Sequence, residues 1–266
     1  MDSSLYLRSE LLGRAGFAHA FFTRRGGVSG GPFSSLNLSL GVGDRAEDVA
    51  ENRRRAAAVL GVSAAAVCVP HQVHDRGVVV AGGAASAAQL EATAADAIVS
   101  DGPGLACAVR TADCVPLLFG DPQTRRVAAV HAGWRGVVKG VVAAAVEAML
   151  ARGSRPEQLL VAIGPHISAR AFEVGAEVAA ELARASGAVD AVIARDARKA
   201  HADLRAILTA QLTALDVPTR NIEALPGCTF SDAASFFSYR RDGRQSGRQL
   251  SAIVSESIID SAAGAS

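Results

Sequence analysis

Apolar residues along the chain fall into short runs separated by glycine, proline and acidic turns. Phe17 to Thr23 is apolar and aromatic-rich, which predicts a strand. Arg24-Arg25-Gly26-Gly27 then opens a glycine-rich loop that runs through Gly30-Gly31-Pro32 to about Asn37. Loops of that length in compact domains are often functional. Asp44 stands before a predicted helix over 47–60, with Val49, Ala56, Val59 and Leu60 on one face and Gly61 as its stop. Val67 to Val69 and Gly77 to Ala81 read as strands around His71-Gln72-Val73-His74, and Gly82 to Ala95 as a loop with a short helix. Four apolar runs follow: Ala97 to Ser100, Leu105 to Arg110, Val115 to Phe119 and Arg126 to Val130. Gly136 to Arg152 reads as one helix, apolar nearly all round and therefore buried. Strands over 159–163, 222–224 and 249–254 and helices over 176–185 and 202–215 complete the pattern. Strands outnumber helices and often follow one another directly. That order predicts an α+β fold of mixed sheets flanked by helices. No linker or repeat divides the chain, so residues 1–266 are expected to form one domain, with a core over about 17–254 and frayed termini.

Composition narrows the function classes. Half of the 266 residues are hydrophobic and a fifth are charged, which excludes bulk disorder. The formal charge of +1 lacks the basic footprint that nucleic-acid binding needs. No apolar run approaches the ~20 residues of a membrane helix, and Met1 to Glu10 does not resemble a signal peptide. A cytoplasmic protein with a small-molecule substrate, no nucleic acid and no membrane is expected; the sequence leaves the oligomeric state open. Lysine occurs only at Lys139 and Lys199, so the other 25 of 27 basic residues are arginine. That bias reflects coding composition and does not define a phosphate-binding surface.

Candidate chemistry sits in three short pieces at strand ends: His71-Gln72-Val73-His74, Thr111-Ala112-Asp113-Cys114, and His131-Ala132-Gly133-Trp134-Arg135-Gly136. Imidazole nitrogen with thiolate sulfur suits zinc or copper, and three protein ligands with an open fourth position describe a catalytic zinc. The same residues fit a second reading, in which Cys114 is a nucleophilic thiolate activated by a histidine. Stoichiometric metal separates the two. Cys68 and Cys107 lie in apolar runs and read as core thiols, and four cysteines without a secretory signal argue against a disulfide framework.

These motifs, taken in order with Thr23-Arg24-Arg25-Gly26-Gly27-Val28-Ser29, Ser35-Leu36-Asn37-Leu38, Glu51-Asn52-Arg53, Ile163-Gly164-Pro165, Phe172-Glu173-Val174-Gly175 and Phe236-Phe237-Ser238-Tyr239-Arg240-Arg241, resemble the YfiH family. That family is also called the laccase-like multicopper polyphenol oxidase or peptidoglycan-editing-factor family, and human FAMIN carries a related domain. The resemblance spans about Phe22 to Val254. It implies a fold shared with CNF-like cysteine hydrolases and zinc ligation by His74, Cys114 and His131. It also implies purine nucleoside phosphorolysis, adenosine deamination or methylthioadenosine phosphorolysis. Copper-dependent phenol oxidation and editing of peptidoglycan precursors, by cleaving the amide of a nucleotide-linked muramoyl amino acid, are further alternatives.

Elementary chemistry orders these options. Four-electron reduction of oxygen needs several redox centres, but the chain has six histidines and only three lie in the site motifs. One metal is the ceiling, zinc first and copper as the alternative. Zinc makes hydroxide available near neutral pH, which suits deamination at C6 of adenine. Phosphorolysis needs a held phosphate, for which Arg24, Arg25 and Arg135 are the candidates, with Asn37 as a further substrate contact. Asp113 is a candidate general base or structural acceptor, His71 an extra ligand or base, and Trp134 a packing residue. A non-catalytic metal-binding protein is the remaining alternative.

Overall fold

The computed structural model describes residues 5–82, 87–100, 102–187, 189–194 and 198–254. In chain order the first elements are β1 (Tyr6–Leu7), α1 (Glu10–Arg14), β2 (Ala18–Phe22), α2 (Ala46–Leu60), β3 (Val67–Cys68) and β4 (Val78–Ala81). Next come α3 (Ala87–Ala92), β5 (Ala97–Ser100), β6 (Ala106–Thr111), β7 (Val115–Gly120), β8 (Val127–Ala132), α4 (Trp134–Lys139) and α5 (Val141–Leu150). The rest are β9 (Leu160–Ile163), β10 (Glu173–Gly175), α6 (Ala176–Ser186), β11 (Val192–Ala194), β12 (Lys199–Ala202), α7 (Leu204–Ala214), β13 (Ile222–Ala224), α8 (Tyr239–Asp242) and β14 (Gln249–Val254).

Two mixed sheets carry the fold. One has the order β1-β2-β14-β6-β3, the other β13-β9-β7-β8-β5-β4, and β10-β12-β11 form a small third sheet. The two large sheets pack face to face through Phe21, Cys107, Val109 and Ile253 on one side and Ile98, Leu118, Ala129 and Ala162 on the other. Helix α2 covers the outer face of the first sheet, where Ala56, Ala57 and Leu60 meet Phe22, Ala108 and Leu250. Helices α4, α5 and α7 cover the outer face of the second, where Val137, Val146, Met149 and Leu208 meet Leu117, Phe119 and Val130. Both faces of each sheet are thus buried, which is why the strands read as continuous apolar runs and not as alternating ones. The α+β expectation is met. Cys68 and Cys107 lie in the middle layer as core thiols, and burial raises both pKa values.

Two local expectations change. The helix expected over Gly136 to Arg152 is broken at Gly140, whose φ of 79° ends α4 and starts α5. A side chain there would be strained, so glycine sets the bend. Arg45 holds the N-cap position of α2, while the Asp44 carboxylate accepts from Ser29 Oγ and from Asn37 Nδ2. Ordered structure also begins before Phe17: β1 pairs antiparallel with β2, and Ser9 caps α1 through its hydroxyl. The frayed ends expected after residue 254 lie outside the described residues.

Register brings several chain ends to one edge of the stacked sheets. Antiparallel pairing sets Gln249 against Thr111, Val115 against Ala132 and Ala97 against Val130. The starts of β14, β7 and β5 therefore meet the ends of β6 and β8.

Candidate active site

At that edge the side chains of His74, Cys114 and His131 converge. Their ligand atoms all lie within 4.8 Å of one another, with Cys114 Sγ 4.0 Å from His74 Nε2. The two imidazole rings stand edge to face at 4.8 Å. Each residue arrives on a different support. His131 belongs to β8 and is buried. Cys114 follows Asp113, whose φ of 94° turns the chain sharply between β6 and β7. His74 itself has a φ of 59°. Such backbone costs of order 1–3 kcal/mol and persists only where surrounding contacts over-determine it.

The contact that does so is Asp96, fully buried just before β5. Its carboxylate accepts the backbone N–H groups of Val73 (3.1 Å), His74 (3.0 Å) and Asp75 (2.7 Å). It also receives His131 Nδ1 at 2.7 Å. An ionised carboxylate only accepts, so the proton sits on Nδ1 and Nε2 is left for a ligand or metal. Burial opposes the Asp96 charge, yet these donors hold its pKa below the ordinary value. Burial likewise pushes the Cys114 thiol up, but His131 and His74 bring it down to about 6. Burial opposes the His131 charge, while Cys114 and Asp96 carry its pKa to about 9. Without metal the pair is thus a thiolate beside an imidazolium; the thiolate is prepared as a donor, and His131 Nε2 becomes one by releasing its proton as a metal binds. Gly133 leaves them room: a Cβ there would lie 3.0 Å from His74 Cδ2 and 3.1 Å from Cys114 Sγ.

The three residues open into a cavity of about 750 Å³. Apolar surface comes from Ile167, Phe172 and Tyr239, and positive charge from Arg110, Arg240 and Arg248. His71 and Gln72 line it as well. Gln72 exchanges two hydrogen bonds with the backbone of Arg110, at 2.8 and 2.9 Å, which fixes the His74 loop to β6.

Other sequence candidates fall elsewhere. Asp113 lines the cavity, but its oxygens accept Thr229 Oγ1 (2.7 Å) and the Arg240 N–H (2.6 Å). Arg24 does not reach the cavity. Its guanidinium donates to the carbonyls of Ser34, Ala233 and Pro32 and lies over the Phe237 ring. With Arg25, which donates to Ala234 O, it lines a separate shallow depression. Asn37 is fully buried and binds Ser39, Asp44 and the Arg248 N–H. The glycine-rich loop is therefore stitched to the body, with Asn52 bridging Val28, Ser35 and Asn37. Arg135 lies over Trp134, at 4.4 Å, and is not among the cavity-lining residues, while Trp134 packs against the core. Cys228 is half-buried and does not line the cavity; burial raises its thiol, but donors on Ser168 and Ser231 bring it down to about 7. Asp96, Arg110 and Arg248 are the site residues that sequence reasoning missed. A lone acid between Ala95 and Ala97 at the head of an apolar strand was the available signal for Asp96.

The sequence profile of the family described as "Multi-copper polyphenol oxidoreductase laccase" matches residues 18–256. The chain belongs to this family. Relatives of the chain carry other activities in their names. It is 45% identical over 235 residues to "Purine nucleoside phosphorylase ORF3" of Streptomyces griseus, covering 88% of this chain and 92% of that one. It is 38% identical over 242 residues to "Adenosine deaminase RL5" from an unknown prokaryotic organism, covering 88% and 92%. Among solved structures it is similar to the Bacillus licheniformis hypothetical protein YfiH, with a TM-score of 0.88 and 29% identity over 95% of this chain and 97% of that one. Although the family description speaks of several coppers, His74, Cys114 and His131 form the one group among the described residues disposed to hold a metal ion. No helix among the described residues is long and apolar enough to cross a membrane.

Proposed function

We propose that the chain is a purine nucleoside phosphorylase that also deaminates adenosine, with a single zinc held by His74, Cys114 and His131. The observation that carries this reading is a His–Cys–His donor set opening into a cavity that joins apolar walls to three guanidinium groups. The donors fit zinc: one thiolate, two imidazoles, and a carboxylate behind His131 that fixes its tautomer. The cavity volume, about 750 Å³, lies in the range of small-molecule sites. The names of the relatives point to the same substrates. Four free cysteines suit a reducing cytoplasm, where we place the protein.

Held by His74, Cys114 and His131, a zinc ion would supply Lewis acidity and bring the pKa of water toward ~7. The chain's own residues supply placement. Phe172 and Tyr239 offer flat apolar surface to a purine, and the guanidinium groups offer donors to an anion. In phosphorolysis a phosphate oxygen bonds C1′ of the ribose as the C1′–N9 bond breaks. The electron pair passes to the purine, which takes up the proton that hydrogen phosphate gives up. In deamination water adds at C6 and ammonia leaves. Asp113 acts as a positioning residue, since its carboxylate ties Thr229 and the Arg240 backbone to the Cys114 turn.

The test is mass-spectrometric product analysis with adenosine, with and without phosphate, beside Cys114→Ala. Adenine and ribose 1-phosphate only with phosphate, and inosine in either condition, both lost in the variant, are expected. No turnover, or equal turnover in the variant, contradicts the proposal and favours the cell-wall amide.

A further inference from the structure

We infer that Arg110 and Arg248 together form the clamp for free inorganic phosphate in this cavity. Sheet register brings them together. Arg110 on β6 pairs with Leu250 on β14, and Arg248 lies two residues before Leu250. Arg248 stands one residue before β14, and extending the strand's alternation by that residue puts both arginines on one face, as diagonal neighbours roughly 7–8 Å apart at the backbone. Both line the cavity.

Neither guanidinium is neutralised by a bonded carboxylate. Arg110 is half-buried, and no group among the described residues hydrogen-bonds its guanidinium. Glu91, the acid that acts on it, is bonded to Arg53 instead. Arg248 directs Nη1 to the carbonyls of Ser246 and Gly247 and lies 5.7 Å from the centre of the Tyr239 ring, which fixes the fork; no hydrogen bond among the described residues uses its other edge. Two half-buried like charges with no carboxylate bonded to either are costly, and a dianion between them reduces that cost. The hydroxyl of Thr111, buried in the same wall, also has no hydrogen-bond partner among the described residues.

The remaining arginines are committed elsewhere. Arg240 donates to Glu173 O and lies over Phe172, Arg135 lies over Trp134, and Arg24 is saturated by carbonyls. The clamp is also held from two sides: Gln72, of the His74 loop, fixes the Arg110 backbone, and Asn37, of the glycine-rich loop, accepts the Arg248 N–H at 2.9 Å.

The identity of the reaction rests on the proposed function, but the clamp is tested without it. Inorganic phosphate is titrated calorimetrically into the full chain, into Arg110→Met and Arg248→Met, and into Arg135→Met as control, each checked by thermal melting. Affinity is expected to fall about tenfold or more in both clamp variants and to stay within about twofold in the control. Arg110→Lys keeps the charge but loses the fork, and falls between wild type and Arg110→Met. In kinetics, the KM for phosphate rises in step, with a smaller change in the KM for adenosine. Phosphate affinity within about twofold of wild type in both folded Met variants overturns the clamp. Adenosine 5′-monophosphate is titrated in parallel. Binding about tenfold tighter than phosphate, lost in the same variants, makes the ligand a phosphate ester and overturns the free-phosphate assignment. Arginine-dependent phosphate binding in a chain that never turns over adenosine supports the clamp and sinks only the nucleoside reading.

Discussion

Replacing Asp96 with asparagine changes one oxygen to an amide and leaves size almost unaltered. The wild-type carboxylate accepts two donors on each oxygen: His74 N–H and His131 on Oδ1, Val73 and Asp75 N–H on Oδ2. Asparagine has only one acceptor atom, so two donors must face an NH₂ group. If the amide faces Val73 and Asp75, two backbone N–H groups lose their acceptor, at about 1–3 kcal/mol each. If it faces His131, the ring reverses its tautomer, places the proton on Nε2 and gives up its role as a ligand, while the His74 N–H is orphaned. The second arrangement is cheaper for the fold, at about 1–3 kcal/mol, and more damaging to the metal site. The expected result is a melting temperature lowered by roughly 2–12 °C, from about 2–4 °C per kcal/mol in a chain of this size. Metal affinity is expected to fall about 10–100-fold. Competition against a chelator of known affinity, with metal analysis of the dialysed protein, reads the second quantity. A variant that holds its metal as wild type does and melts within about one degree of it refutes the assignment of Asp96.

Gly133→Ala places a methyl group 3.0 Å from His74 and 3.1 Å from Cys114, so the donors must move apart; metal competition should show weaker binding with the fold retained by circular dichroism. Asp113→Asn keeps one acceptor for Thr229 and Arg240, so a positioning residue predicts a kcat within about tenfold of wild type, whereas loss of a general base costs about 100-fold or more. Glu223 accepts Ser9 Oγ and the N–H groups of Leu11 and Glu10 at the start of α1. Burial opposes its charge, but these donors hold its pKa below the ordinary value. Its stabilisation is therefore present above the unfolded value of about 4.3 and is lost as pH falls through the lower folded value. Glu223→Gln should melt earlier than wild type at pH 7, with the gap closing below about pH 4; a gap that persists in acid contradicts the linkage.

Much of the fold was readable because burial on both faces wrote each central strand as an apolar run between turn residues. The strand over Ile222–Ala224 lies where its pattern places it, and the ends of β7 and β8 differ by a residue or two. Helix α4–α5 was misread because its sequence is apolar all round, and that pattern hides a break that Gly140 alone signals. Strands β10, β11 and β12 run three or four residues each, too short for a periodicity to emerge. His74, Cys114 and His131 stood out as donors at strand ends. Their organiser did not, because Asp96 works through backbone N–H groups 21 to 23 positions earlier in the chain. Arginine was the least informative letter. In a chain with 25 of them, the glycine-rich Arg24-Arg25 pair looked like an anion loop. In the fold Arg24 holds carbonyls, and the cavity takes its charge from Arg110, Arg240 and Arg248.

The central claim is that phosphate itself enters the bond to ribose at this site. Incubation of the purified chain with adenosine and phosphate labelled with ¹⁸O at all oxygens, followed by mass analysis of the sugar product, tests it most directly. Ribose 1-phosphate that keeps every labelled oxygen is expected, because the C1′–N9 bond is broken by a phosphate oxygen. Unlabelled free ribose, or no sugar product at all, contradicts it.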